Sequence, residues 1–393
     1  MSDWEEHLLG DLLQFQRGFD ITAKEQEAGN VPVVSSSGVT SFHNKAKVKG
    51  PGVITGRKGS LGKVHFIESD YWPHDTTLWI KDFKGNSPKF LYYLLQQMHL
   101  ENYDVGASNP TLNRNHLHKI RLHCPSPKIQ QKIAAVISAY DDLIENNNRC
   151  IALLEKAAEE IYREWFVRLR FPGWEQAKFV KGVPKEWEYK KISTVCDKIT
   201  SGGTPRTDEQ SYWGGGIPWL SSGETRKHFI CETENTITQL GVESSSTRLA
   251  KSGTIVIAGA GQGNTRGQTS LLLLDTYINQ SVLNLSAKLV SNYFLFFNLL
   301  NRYDELRLTS DAFSSRGSLT TKLIGTLDVV VPSKNICSGF DTIVESMIKQ
   351  IGNIYITTSK LKISRDLLLP RLISGKLSVE NLDIRFPPGM NST

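Results

Sequence analysis

The same segments occur twice, in the same order, along the 393 residues. "FLYYLLQ" (Phe90–Gln96) returns as "FLFFNLL" (Phe294–Leu300), and "VPVVSSSGVTSF" (Val31–Phe42) as "IPWLSSGETRKHF" (Ile217–Phe229). "PGVITGRKGSLGKV" (Pro51–Val64) is echoed by "SGTIVIAGAGQGNTRG" (Ser252–Gly267), and "PTLNRNHLHKIRLHCPS" (Pro110–Ser126) by "GSLTTKLIGTLDVVVPS" (Gly317–Ser333). Each match is weak alone, but their shared order requires a duplicated unit, and a duplicated chain folds as two copies of one architecture.

A long helical pattern follows each copy. Apolar positions run Ile129, Ile133, Val136, Tyr140, Leu143, then Asn147 and Cys150, then Leu154, Ala157 and Ile161. This is a heptad seam. A shift of 207 residues carries it onto Ile336, Phe340, Ile343, Met347, Gln350, Ile354, Thr357, Leu361, Ser364 and Leu368. Asn147 and Gln350 are polar intrusions that set register at some cost in stability. Ser126-Pro127 reads as a cap and first turn, Phe171-Pro172-Gly173 as a stop, and Pro370 as an end or kink. Helices of roughly 35–40 residues are about 55 Å long and need a partner, most simply each other. The chain therefore divides into a globular unit (1–127), a helix (128–170), a linker (171–186), a second globular unit (187–333), a second helix (334–373) and a C-terminal tail (374–393).

Catalytic motifs fail on inspection. In "GVITGRKGSLGKV" a Walker A loop needs glycine where Arg57 stands and Ser or Thr where Val64 stands, and "VHFIESDYW" after it reads as a strand. Gly259, Gly261 and Gly263 give G-x-G-x-G rather than a dinucleotide fingerprint, and "TSLLLLD" is again strand-like. We find no S-adenosylmethionine loop, methyltransferase Asn/Asp-Pro-Pro-aromatic motif, G-x-S-x-G or H-E-x-x-H. His116, His118, His123 and Cys124 lack a second ligand cluster, so no metal site is expected. Five scattered cysteines without a C-x-x-C pair point to free thiols. No apolar run reaches the roughly 18 residues of a membrane span, and a soluble, cytoplasmic protein is expected.

Binding remains. The formal charge of +6 suits an anionic partner. In the first copy Arg57, Lys58, Ser60 and Lys63 stand among glycines, with Asn109 and Arg114 on a second loop. In the second copy the candidates are Arg206, Trp219, Ser221, Arg226, Gln262, Asn264, Arg266 and Arg316. Glycine lets backbone N–H groups approach phosphates, and Arg, Asn and Gln can read base edges. Two other classes stay open: a methyltransferase or nuclease with cryptic motifs, and a coiled-coil scaffold that binds only protein.

These residues resemble the specificity subunit of type I restriction–modification systems over essentially the whole chain. "SGGTPRTDEQSYWGGGIPWLSSGE" (Ser201–Glu224) is similar to the opening of that family's target-recognition domains, and "GVITGRKGSLGKV" to their mid-domain loop. "PSPKIQQKIAAVISAYDDLI" (Pro125–Ile144) looks like the start of its spacer helix, and "LLLPRLISGKLSV" (Leu367–Val379) like its C-terminal signature. The resemblance implies a mixed α/β (α+β) fold. Two target-recognition domains would stand in pseudo-twofold repeat, separated by two long antiparallel coiled-coil helices. Each domain would read one half of a bipartite site in double-stranded DNA, the helices setting the gap. It also implies two docked modification subunits that carry S-adenosylmethionine, and restriction subunits that use ATP and Mg; no cofactor is expected on this chain and no catalysis by it alone. Three departures stand out. "NICSGFDTIV" lacks the glutamine-rich helix start, the second mid-domain loop lacks the Arg-Lys pair, and the first domain opens on "RGFDITAKEQ" instead of a GGTP-type segment.

Overall fold

The computed structural model describes residues 4–106, 110–261, 263–313 and 318–386. Strand for strand, the second half repeats the first. Gln14–Arg17, Thr77–Asp82, Gly52–Gly56 and Val64–Ile67 form one antiparallel sheet in that spatial order. Cys196–Ser201, Val282–Ala287, Ile255–Ala258 and Thr269–Leu272 form its counterpart, extended by Phe229–Ile230. A smaller sheet stands with each. Val31–Ser35 pairs in parallel with Trp72–Pro73, as Trp213–Leu220 does with Thr276–Ile278. Trp4–Leu8 pairs with Arg121–Pro125, as Glu188–Lys191 does with Asp328–Val331. The helices Pro88–Gln97 and Asn292–Leu300 are capped alike, Ser87 Oγ accepting from the Phe90 N–H and Ser291 Oγ from the Phe294 N–H.

Contacts divide the chain into two units, residues Met1–Asn146 with Thr358–Thr393, and Asn147–Thr357. The long helices Pro127–Tyr162 and Lys334–Ile373 thus each contribute a half to either unit. In the first unit Lys132 Nζ donates to the Glu380 carbonyl (2.7 Å) and Asp141 pairs with Arg365 (2.8 Å), an antiparallel pairing. In the second, Tyr162 packs on Phe340 while Glu155 lies near Tyr355, antiparallel again. The second helix runs through Pro370 and ends three residues later at Ile373. A proline so close to the last turn removes a hydrogen bond without stopping the helix.

The heptads hold, with one row displaced. Ile133 and Phe340 are buried, and Tyr140, Asn147, Leu154, Ile161, Met347, Ile354, Leu361 and Leu368 are half-buried. Leu143, expected in the seam, is 51% exposed, and Gln350 is exposed. Ile144 and Ile351 take their places, in a buried row Ile137, Ile144, Ile151, Ala158 whose equivalents Val344, Ile351 and Thr358 are also buried. The correction has a physical reason. Ile129, Ile133, Ala134 and Ile137 share a core with Phe90, Leu91, Tyr93, Leu94 and with Leu369, Leu372 and Ile373. The helix covers a domain helix as well as the other long helix, so its buried arc is wider than a two-helix seam and centred one residue later.

Two polar devices distinguish the first unit. Gln130, fully buried, donates to Asn86 Oδ1 (2.6 Å) and the Pro125 carbonyl (3.0 Å) and accepts from the Ser87 N–H (2.9 Å). It ties the start of the long helix to the strand before it and to a helix cap; the equivalent residue in the second unit is the buried Cys337. Asp141 accepts from Tyr93 Oη (2.6 Å) and from Arg365 Nη1 (2.8 Å). At the repeat-related positions stand Phe297, Ile348 and Ala158, all apolar and buried.

After the first helix a π-helical turn, Arg163–Val167, ends on the aromatic cluster of Phe166, Phe171 and Trp187. The linker carries a small hairpin, Phe179–Val180 with Val183–Pro184. In the tail, Leu377, Val379 and Ile384 pack on the first unit's core. All five cysteines are free, and burial pushes the thiols of Cys124, Cys196, Cys231 and Cys337 up to about 12.

Candidate nucleic-acid interface

The segment that resembles a phosphate loop is the turn of a β-hairpin. Gly52–Gly56 pairs antiparallel with Val64–Ile67 (Thr55 opposite Val64), and Ile255–Ala258 pairs likewise with Thr269–Leu272. Neither turn opens a helix, as a Walker or dinucleotide loop does. The backbone bonds of the two turns match. The Arg57 and Lys58 N–H groups donate to the Thr76 carbonyl (2.8 and 3.1 Å), and those of Gly259 and Ala260 to the Ser281 carbonyl (2.7 and 3.4 Å). The Arg57 carbonyl accepts from Leu112 (3.0 Å) and the Gly259 carbonyl from Leu319 (2.8 Å). Arg57 and Gly259 therefore occupy one position of a duplicated frame.

These bonds narrow one expectation. The N–H groups of Arg57, Lys58, Leu61 and Gly62 all bond to carbonyls within the unit. Those four N–H groups are therefore committed, and the turn presents an anion with the exposed side chains of Lys58 and Lys63. Glycine is still required: Gly62 has φ +71°, and a Cβ there would meet Glu101 Oε2 at 2.4 Å. A Cβ on Gly56 would meet the carbonyl of the half-buried Ser60 at 1.9 Å.

The two candidate loops of the first unit come together. Lys58 and Thr111 form a β-bridge, which sets the mid-domain turn beside the exposed Arg114, first residue of the short helix Arg114–Leu117 that Asn113 caps. Asp104 accepts from the Gly106 and Thr111 N–H groups, which lowers its carboxyl pKa. Residues the sequence reading did not single out complete the surface. Arg17 is bound to Asp75 (2.7 Å), beside His74, and Lys47 lies over the Trp72 ring (4.9 Å). Arg17, Lys47, Trp72 and Asp75 line an open depression of about 490 Å³. Asp20, His74 and Asp75 bring three ligand atoms within 4.8 Å of one another, but the Arg17 guanidinium already neutralises Asp75. His118 accepts from the Phe15 N–H (3.0 Å) and stacks on its ring, and burial lowers its pKa, so it serves the core.

In the second unit the cations stand elsewhere on the frame. Exposed Arg226 donates to Thr265 Oγ1 (3.1 Å) in the mid-domain turn. Arg266 pairs with Asp311. Arg307 donates to the Gly263 carbonyl (2.9 Å), and Tyr303 Oη to that of the exposed Asn264 (2.8 Å), so the helix Tyr303–Phe313 clamps the turn. Arg206 is exposed and bonded to Asp208 (2.8 Å). One candidate is buried and another sits at the start of a turn. Trp219 is 5% exposed, and its Nε1 donates to the Gly203 carbonyl (3.3 Å), pinning the Gly-Gly segment. Ser221 starts a short 3₁₀ turn, its N–H donating to Glu224 Oε1 (2.9 Å). Asn109, Gln262 and Arg316 lie outside the described residues.

The dissimilar domain openings meet in one position. A Cβ on Gly202 would stand 1.9 Å from the Ile278 carbonyl oxygen, and one on Gly18 would stand 2.1 Å from that of His74. "RGFD" and "SGGT" both pass where only glycine fits, which similarity of letters does not reveal.

Comparisons with known proteins agree with this geometry. The family model described as type I restriction modification DNA specificity domain matches residues 1–156 and 184–364, one match per repeat. The specificity subunit of the MjaIX type I restriction enzyme of Methanocaldococcus jannaschii is 28% identical, over 76% of this chain and 71% of the relative. That of the HindI enzyme of Haemophilus influenzae is 22% identical, over 96% and 100%. Among solved structures, the S subunit of the type I restriction–modification system from M. genitalium superposes with a TM-score of 0.68 at 17% identity, covering 94% of this chain and 96% of that one, and so shares its fold. With both repeats matched by the family model, this chain belongs to the type I restriction–modification DNA specificity family.

Proposed function

We propose that this chain is the DNA-recognition subunit of a type I restriction–modification complex, each repeat reading one half of a bipartite site. The observation that carries this is the duplicated turn, fixed by the same backbone bonds in both units and surrounded by different cations in each. A common frame with unlike side chains suits one polymer read at two unlike sequences. Lys58, Lys63 and Arg114 are the phosphate-facing cations of the first unit, and Arg206, Arg226 and Arg266 contribute in the second. The paired long helices set the gap between half-sites and offer the surface on which modification subunits dock, two for two repeats.

S-adenosylmethionine, ATP and Mg belong in this reading to the modification and restriction subunits, and the chain supplies specificity without a reaction of its own. In this reading the chain works on DNA in the cytoplasm; among the described residues no helix is long and apolar enough to cross a membrane. The test is binding of the chain, with its modification subunits, to a mixed duplex pool at several salt concentrations. Log affinity should fall linearly with log salt, by about 0.9 per phosphate contact. Salt-independent or undetectable binding would leave a protein-binding scaffold, and methylation by the chain alone would make it an enzyme.

A further inference from the structure

We infer that Arg57 reads a base edge, a guanine in the first half-site, while Lys58 and Lys63 of the same turn anchor phosphates. The inference rests on the DNA-recognition reading and assigns one residue a different task within it. Unlike a residue on a free loop tip, Arg57 is held through both its backbone groups, its N–H on the Thr76 carbonyl (2.8 Å) and its carbonyl on the Leu112 N–H (3.0 Å). A fixed Cα is what a planar guanidinium needs for two parallel hydrogen bonds, whereas a phosphate contact tolerates a mobile cation.

The surroundings agree. Arg57 is half-buried, and among the described residues its Nη1 is shut off from solvent with no hydrogen-bond partner. The nearby carboxylate that could have served it, Asp75, is engaged by Arg17 Nη2 (2.7 Å) and lies 3.2 Å from His74 Nδ1. Burial and the Arg17 charge lower the Arg57 pKa, and Asp75 offsets part of this. A desolvated donor group without a protein acceptor is completed by one that arrives with a ligand, once the side chain turns onto it. Lys58 and Lys63 are exposed ammonium groups on flexible stems, suited to a phosphate as point charges. In the major groove guanine offers O6 and N7 as an acceptor pair matched to the guanidinium fork. The second unit has glycine at this frame position, with the same two backbone bonds, so that position differs in what it can read and not in how it is held.

The test compares Arg57→Lys and Arg57→Ala in the full chain, assembled with its modification subunits, by selection from a random duplex pool and by salt titration. Lysine keeps the charge and loses the fork. The expected result is that both variants lose roughly 10- to 100-fold discrimination at one position of one half-site. The other half-site stays intact in both, which also reports that the protein is folded, and Arg57→Lys keeps the wild-type salt slope. A wild-type preference in Arg57→Lys, with Arg57→Ala weakening all sequences alike and lowering the slope by about 0.9, would make Arg57 a phosphate anchor and overturn the inference. Loss at both half-sites overturns it too. If the wild-type complex selects no sequence, the DNA-recognition reading falls with it.

Discussion

Replacing Asp141 by Ala removes one carboxylate that serves two partners, and the repeat supplies the control. Tyr93 is 1% exposed, and its hydroxyl donates to Asp141 at 2.6 Å. Stranding a buried hydroxyl costs about 1–3 kcal/mol. The Arg365–Asp141 pair has side chains 28% and 30% exposed, so solvent screening holds its contribution to about 1 kcal/mol. Arg365 keeps its hydrogen bonds to Asp366. Asp141→Ala should therefore cost the first unit about 2–4 kcal/mol, a factor of roughly 30–700 in local opening at 1.4 kcal/mol per decade. The second unit solves the same packing with Phe297 and Ile348. Tyr93→Phe with Asp141→Ile copies those two positions and should cost about 1.5 kcal/mol or less, since the hydroxyl and its carboxylate leave together and Arg365 stays bonded to Asp366. Amide hydrogen exchange of the helix Pro88–Gln97 reads the opening directly. Exchange in Asp141→Ala less than fivefold above wild type, or a double variant no better than the single one, would refute the reasoning.

Three further outcomes follow from the geometry. Gly202→Ala drives a Cβ to 1.9 Å from the Ile278 carbonyl oxygen; we expect a loss of about 2–4 kcal/mol in the second unit, read by hydrogen exchange, and a loss under 0.5 kcal/mol would show that the backbone yields. His228 lies 3.6 Å from Glu155, whose hydrogen bond and charge raise its pKa against the opposing effect of burial. A raised folded-state pKa contributes stability that is complete below the unfolded value near about 6.5 and is lost as pH rises through the folded value. Stability of the second unit should thus decline from about pH 6.5 upward, and Glu155→Gln should flatten that decline; an NMR titration placing His228 at or below the ordinary value would contradict it. Inserting one heptad into each long helix, at 146–148 and 353–355, should widen the unspecified gap of the recognised site, whereas an unchanged gap would remove the helices from that role.

Much of this architecture is legible in the letters because duplication leaves a period, and a period survives substitution. The shift of 207 residues that carries one helix onto the other also carries the buried row Ile137, Ile144, Ile151 onto Val344, Ile351 and Thr358. Which row is buried was not legible. Leu143 and Ile144 are both apolar, and the choice depends on a domain helix that a two-helix pattern does not contain. The mid-domain turn is conspicuous through its glycines and cations, but the N–H groups of Arg57 and Lys58 are committed to Thr76, a partner distant in sequence. Trp219 stands among the DNA-binding candidates until its burial and its bond to Gly203 are seen. Arg17 carries no local signal, since only the fold brings Asp75 to it. Gln130 is the reverse case: the glutamine-rich helix start is visible in the sequence, and the structure gives it a reason in three hydrogen bonds of one buried side chain.

The central claim is that two copies of one frame read two different half-sites, and it is tested most directly by mapping methylated bases in DNA exposed to the complete modification complex. The map should be made for the wild-type chain, for Lys58→Ala/Lys63→Ala, and for Arg226→Ala. The account predicts a wild-type site with two specified segments and an unspecified gap. The first-unit variant should lose occupancy without gaining new bases, and Arg226→Ala should disturb the second segment alone. A single uninterrupted site, or both segments disturbed by a variant confined to one unit, would contradict it.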